Sequence, residues 1–161
     1  SDDASTANQV IKHFLLKFKI SKKNSYLIYI QVTSPLKNYK HISSAIKKLE
    51  KIKSDSLISC YEKDSEQIYK SLVFNKKNRL SPIFNKKIAT ANRQNLPRTA
   101  MPNGAFYIFK IKRKISHYPI NFKDCYAYLM NENEVVDINT KKDLNLARKT
   151  FKNKSFINAK I

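Results

Sequence analysis

Between positions 93 and 108 the chain reads Arg93-Gln94-Asn95-Leu96-Pro97-Arg98-Thr99-Ala100-Met101-Pro102-Asn103-Gly104-Ala105-Phe106-Tyr107-Ile108. Arg93 and Gln94 carry planar donor groups suited to an anionic, oxygen-rich ligand. Gly104 is the only glycine among 161 residues. An Asn-Gly pair directly before an apolar run reads as a tight turn with positive φ. That turn would hold the Asn103 amide at the mouth of whatever the strand enters. Along the strand, Phe106 and Tyr107 point to opposite faces, so one of them should face a ligand. Asp137 closes the apolar pair Val135-Val136, with Asn139 two residues on. His13, His41 and His117 stand alone, with no nucleophile beside them. Cys60 and Cys125 lack metal-ligand spacing and read as free thiols of a cytoplasmic protein.

These residues need elements to hold them. Residues 6–19 read as a helix with Val10, Ile11, Phe14, Leu15 and Phe18 on one face and Ser5 or Thr6 as its cap. Residues 26–31 form a near-continuous apolar run, the mark of a strand buried on both faces of a parallel sheet. A turn at Thr33-Ser34-Pro35 leads to a helix over 39–53, faced by Ile42, Ala45, Ile46, Leu49 and Ile52. A short strand follows over 57–60. Helix, buried strand, helix, buried strand is the alternation of a doubly wound α/β sheet. Ligands in such sheets sit beyond the carboxyl ends of the strands, where Gln31 falls.

The alternation breaks at 61–92. Strand candidates over 68–74 and 80–84 flank the polar tip Asn75-Lys76-Lys77-Asn78-Arg79, so this region reads as a projecting β-hairpin. A strand over 104–110, a short helix over 112–118 and a strand over 127–130 come next. The pair 135–136 is strand-like and ends at Asp137. Thr140 caps a last helix, with Asp143 in capping-box position and Leu144, Ala147 and Phe151 as its face. The lysine-rich stretch 152–161 reads as a frayed end. The whole chain forms a single domain.

The formal charge is +20. Only five of the 32 basic residues are Arg; the rest are Lys, spread over every segment. No stripe of them interleaves with aromatics, so the charge does not read as a nucleic-acid footprint. It would still draw anionic substrates at low salt. No run is long enough for a membrane span, and the first residues are not a signal peptide.

The pattern R-Q-x-L-P followed by N-G-A-x-Y-I resembles a segment of the acylneuraminate cytidylyltransferases, the CMP-sialic acid synthetases. Gln31-Val32-Thr33-Ser34-Pro35-Leu36 is similar to that family's Q-P-T-S-P-L segment. Val135-Val136-Asp137-Ile138-Asn139-Thr140 with Asp143-Leu144 is similar to its D-I-D-T-x-x-D-L segment. Order and spacing agree across nearly the whole chain. The family's opening strand and triphosphate loop are missing, so the resemblance implies an N-terminally truncated domain. It also implies a doubly wound, mostly parallel sheet and a homodimer built through the 61–92 arm. The implied reaction joins CTP to an acidic nine-carbon ulosonic acid, giving CMP-sugar and pyrophosphate, as in lipopolysaccharide or capsule biosynthesis. The implied cofactor is Mg²⁺, held by Asp137 and, in place of the family's second Asp, Asn139. An amide oxygen can ligate, but one negative charge is lost. By the same resemblance Arg93, Gln31 and Tyr107 face the sugar, Gln94 and Asn103 lie beside them, and Lys70 occupies the position of a sugar-site lysine. Met101 stands where relatives often carry a second Arg. The alternative reading is a binding-only or inactive fragment of such an enzyme.

Overall fold

A computed structural model describes residues 7–18, 25–111 and 124–158. In chain order the elements are α1 (Ala7–Lys17), β1 (Tyr26–Ile30), α2 (Tyr39–Ile52), β2 (Ser56–Lys63), α3 (Ser65–Tyr69), β3 (Leu72–Phe74), β4 (Leu80–Pro82), α4 (Lys86–Ala89), β5 (Thr99–Lys110), β6 (Cys125–Leu129) and α5 (Lys141–Asn158). Short 3₁₀ turns lie at Arg93–Asn95 and Glu132–Glu134.

The main sheet has the order β1-β5-β2-β6. β5 runs antiparallel to both β1 and β2, while β6 is parallel to β2. β1, β2 and β6 therefore point the same way and only β5 opposes them, a mixed, mostly parallel sheet. Helices cover both faces, as the alternation implies. α2 packs Ala45 and Leu49, both fully buried, on Leu57, Ala105, Phe106 and Ile108. α1 packs Ile11 and Leu15 on Phe109, Leu27 and Tyr29 from the other side. Each fully buried Leu in this set contributes about 1.5–3 kcal/mol.

α2 forms where its apolar spacing predicts, and its ends explain why. The Asn38 side chain accepts from Lys40 N and His41 N, and the His41 ring accepts from Asn38 N. Lys53 ends the helix in the left-handed region at φ 54°. His41 is thus a capping residue, its Nε2 also 3.4 Å from Glu134 Oε2.

Several expected elements shift. β1 is half-buried rather than enclosed, and Ile30 is 43% exposed, because among the described residues it pairs with β5 alone. The interior positions belong to β2 and β5, and in β5 Phe106, Ile108 and Phe109 are buried. Ile68 belongs to α3, so the hairpin strands are three residues each, Leu72↔Pro82 to Phe74↔Leu80. The strand expected over 127–130 runs Cys125–Leu129. Residues 135–136 are not a strand. The Glu132–Glu134 turn feeds into them, and Val136 packs on Leu36 and Ala147 instead of joining the sheet. α5 continues to Asn158, into the 152–161 stretch expected to fray, of which 159–161 lie outside the described residues. The expected 112–118 helix, the Ser5 or Thr6 cap and the two end residues, 6 and 19, of the expected 6–19 helix lie outside the described residues.

Candidate functional site

Asn103 and Gly104 do not make a turn ahead of the strand. They lie inside β5, which runs unbroken from Thr99 to Lys110. Opposite Ile58 stands Tyr107, but opposite Cys60 stands Pro102, so β5 carries four residues across from Ser59 alone. This is an extended β-bulge. Ser59, fully buried, closes it from the partner strand: its Oγ donates to Phe106 O at 2.8 Å and accepts from Phe106 N at 2.9 Å. Gly104 takes φ +69° here, the positive value its sequence context predicts. The Asn103 side chain supports the bulge from within. Its Oδ1 accepts from Ala105 N at 3.1 Å and its Nδ2 contacts Met130 Sδ at 3.2 Å.

The bulge opens one wall of a cleft of about 490 Å³ lined by Gln31, Tyr61, Asn103, Gly104, Tyr107, Glu132 and Asp137, together with Pro102 and Val135. The volume is in the range of small-molecule sites. Gln31 follows β1, Tyr61 is near the end of β2 and Glu132 follows β6. These are the carboxyl ends of the parallel strands. The start of β5, which runs the other way, meets them there.

A Cβ on Gly104 would lie 2.5 Å from Gln31 Oε1, so the missing side chain makes the space that the Gln31 amide occupies. Of the strand pair, Phe106 enters the core and Tyr107 faces the cleft. Burial first, then the neighbouring Tyr29, Cys60 and Asp137, pushes the Tyr107 phenol upward. It therefore stays a neutral hydroxyl donor at physiological pH. Burial, with a smaller part from Cys125, pushes the Cys60 thiol to about 11, which makes it an inert core thiol.

Asp137 is exposed at the rim. Its Oδ2 accepts from Asn139 Nδ2 at 3.1 Å. Asp143 fixes the segment beside it: one carboxylate oxygen accepts from Thr140 N and Thr140 Oγ1 at 2.8 Å each and from Asn139 N at 3.2 Å. The Thr140 hydroxyl is the first cause, and the Thr140 amide the second, of an Asp143 carboxyl held below its ordinary range.

Four of the eight residues singled out from sequence thus share one cleft: Gln31, Asn103, Tyr107 and Asp137. Asn139 stands next to it on Asp137. Arg93, Gln94 and Lys70 do not line it. Arg93 and Gln94 are exposed in the 3₁₀ turn, with Arg93 3.6 Å from Asp64, and Lys70 pairs with Glu66 one turn away. Tyr61 and Glu132 went unpredicted, although the rule that placed Gln31 at a strand's carboxyl end applies equally to β2 and β6.

No protein-family model matches the chain. Solved structures share its fold. In fold the chain is similar to the 4-diphosphocytidyl-2C-methyl-D-erythritol synthase of Anaerococcus prevotii. The two superpose with a TM-score of 0.58 over 92% of this chain and 68% of that one, at 11% sequence identity. The shared feature is the architecture, an α/β fold around a mostly parallel sheet.

The donors present in the cleft are hard oxygens: the Asp137 and Glu132 carboxylates and the Gln31 amide. Among the described residues no three His, Cys, Asp or Glu converge as a self-contained metal cage. That set suits Mg²⁺, which commonly takes one or two carboxylates and completes its shell with water and substrate phosphate. No described helix is long and apolar enough to cross a membrane.

Proposed function

We propose that the chain is the sugar-binding and catalytic portion of a cytidylyltransferase that joins CTP to an acidic nine-carbon ulosonic acid. The observation that carries the reading is the meeting of Gln31, Asn103, Tyr107 and Asp137 in one cleft. They come from three separated segments, and all three resemble acylneuraminate cytidylyltransferase segments. The similarity in fold to a diphosphocytidyl-sugar-alcohol synthase supports the same class.

In this reaction the sugar's anomeric hydroxyl oxygen attacks the α-phosphorus of CTP. One P–O bond forms, the α–β phosphoanhydride breaks, and pyrophosphate leaves. The hydroxyl proton passes to solvent or a nearby base. The protein's task is alignment and charge neutralisation. Gln31 and neutral Tyr107 hydrogen-bond the sugar, and the Asn103 bulge shapes the wall between them. Asp137 and Asn139 would hold Mg²⁺, which when bound offsets phosphate charge. Arg93, Gln94 and Lys70 serve the sugar from the rim only if the 64–95 segment closes over the cleft. The homodimer reading rests on the arm, where Leu72, Val73, Phe74, Leu80, Ile83 and Phe84 are all at least 43% exposed and would gain from a covering partner.

The test is CMP-sugar formation from CTP, Mg²⁺ and a panel of ulosonic acids. The chain is run beside a version extended upstream with a family-type triphosphate loop. Product from either supports the reading, and product from the extended chain alone marks this portion as incomplete. No product from either, with no binding of CMP-N-acetylneuraminate, overturns it. The Asn139 amide turned onto Asp137 favours a second reading, a binding-only domain. Binding without turnover, restored by Asn139→Asp, would distinguish a metal-site defect.

A further inference from the structure

One side chain outside the cleft ties its walls together. The loop after β1 touches both of the other cleft segments. Its Thr33 carbonyl accepts from Ile138 N at 2.8 Å, which seats the residue next to Asp137. Its Ser34 Oγ, in a buried residue, donates to Asn103 O at 3.2 Å, which anchors the bulge. Its Gln31 amide fills the space left by Gly104. Residues 31–37 are therefore the hinge pin of the site, although 33–37 line none of it.

The loop is closed by Lys37. Its Nζ donates to Gln31 O and to Ser34 O, both at 2.6 Å. Among the described residues no carboxylate pairs with this ammonium; its partners are backbone carbonyl dipoles. Burial pushes its pKa below the ordinary lysine value, as expected for a cation held without a counter-ion. Such an arrangement is costly on the surface of a chain so rich in lysine unless the two carbonyls need to be held. Charge-assisted bonds of this length are stronger than neutral ones, and they fix the two loop residues that contact the cleft and the bulge.

We propose that Lys37 is the positioning residue of the cleft: its ammonium locks the 31–34 backbone so that Gln31, the Asn103–Gly104 bulge and the Asp137 segment keep one mutual geometry. The proposal goes beyond the functional reading and rests on it only for the choice of ligand probe.

The experiment compares the full chain with Lys37→Met, Lys37→Arg, Gln31→Ala and the Lys37→Met/Gln31→Ala double variant. Two readouts are taken. The first, hydrogen exchange at single amides, needs no ligand. Lys37→Met should exchange the Ile138 amide about tenfold faster while Phe106 and Ile108 in the core stay unchanged, and Lys37→Arg should restore protection to within about twofold. The second is the affinity for CMP-N-acetylneuraminate by calorimetry. It should fall about tenfold in Lys37→Met and recover in Lys37→Arg. In the Gln31→Ala background Lys37→Met should cost little more, since residues acting as one unit are not additive.

Unchanged exchange at Ile138, or faster exchange at every amide alike, overturns the proposal, and so does full additivity with Gln31→Ala. If Lys37→Met does not fold, Lys37→Gln takes its place with the same readouts. If neither folds, Lys37 supports the whole domain and the positioning role is wrong. If the exchange pattern appears but the probe binds no variant, the Lys37 inference stands, and the sialic-acid reading fails if the upstream-extended chain also gives no product.

Discussion

The cleft and the 61–92 arm are built by opposite means. In the cleft, residues are fixed by bonds that span the chain: Ser34 to Asn103, Ser59 to Phe106, Ile138 to Thr33. In the arm most of the polar bonds are local. Asp64 accepts from Glu66 N, Asn75 caps its own turn at Lys77 and Arg79, Asn85 caps α4 at Ile88, and Lys70 reaches back to Glu66. The apolar content differs in the same way. Phe106 has no exposure, while Phe74 is 72% exposed. A motif residue in the first region sits where several segments over-determine its position. A motif residue in the second is held by neighbours a turn away and keeps its options for a partner or a closing movement.

The sharpest way to break this contrast is a matched pair of truncations. Phe106→Ala should cost about 3–5 kcal/mol, because it empties a fully enclosed site between β5 and α2. Phe74→Ala should change monomer stability by no more than about 0.5 kcal/mol, as expected for an exposed position. The same substitution should weaken self-association if the arm is a dimer element. Chemical denaturation and light scattering of both variants check the pair. A large loss of monomer stability from Phe74→Ala would mean that the arm packs on its own domain.

Next in size is Gly104→Ala. The left-handed backbone costs a residue with a Cβ about 1–2 kcal/mol. The new methyl would also displace the Gln31 amide, 2.5 Å away. The expected outcome is a modest stability loss with ligand affinity in the cleft abolished. Calorimetry and thermal unfolding on one sample separate the two effects. Intact affinity would show that Gln31 does not contact the ligand.

The same contrast explains what could be read in advance. α2, the alternation around β1 and β2, and the Phe106/Tyr107 division were legible because each follows from a period of hydrophobicity. The positive φ of Gly104 was legible because only glycine takes it cheaply. The turn was not correct, since whether Asn-Gly ends a strand or bulges within it depends on Ser59, 45 positions upstream of Gly104. Val135-Val136 looked like a strand by composition, yet Val136 found its burial against α5 and Leu36. Lys37 was invisible among so many lysines, because nothing local distinguishes an ammonium that two carbonyls hold from one in water. Lys70 and Arg93 matched a pattern, but no long-range contact brings either into the cleft.

A smaller effect is expected from Lys70→Met. Its pair with Glu66 is a half-exposed i, i+4 contact on α3 and its cap, worth about 0.3–0.5 kcal/mol. Stability should scarcely move. If turnover or sugar affinity falls while stability holds, the arm does reach the substrate, and the functional boundary drawn around the cleft must widen.

The smallest effect concerns pH and only one end of α5. The carboxyl of Asp143 is held below its ordinary value of 3.8 because ionised Asp143 accepts from the Thr140 hydroxyl and amide and from the Asn139 amide. A carboxylate with a lowered folded pKa lends stability that is fully present above its unfolded value and is lost as pH falls through the folded one. The window therefore lies below about pH 3.8, and between pH 5 and 8 the cap should be constant. Asp143→Asn should remove this acid-side dependence and leave the neutral plateau flat. Since Asp143 is partly exposed, the readout is local: backbone resonances of Asn139 and Thr140 should shift with its titration while those of β5 do not. A shift of β5 in step with Asp143 would mean that the α5 cap and the bulge move together, and that the Asp137 wall is coupled to the Gln31 wall even without Lys37.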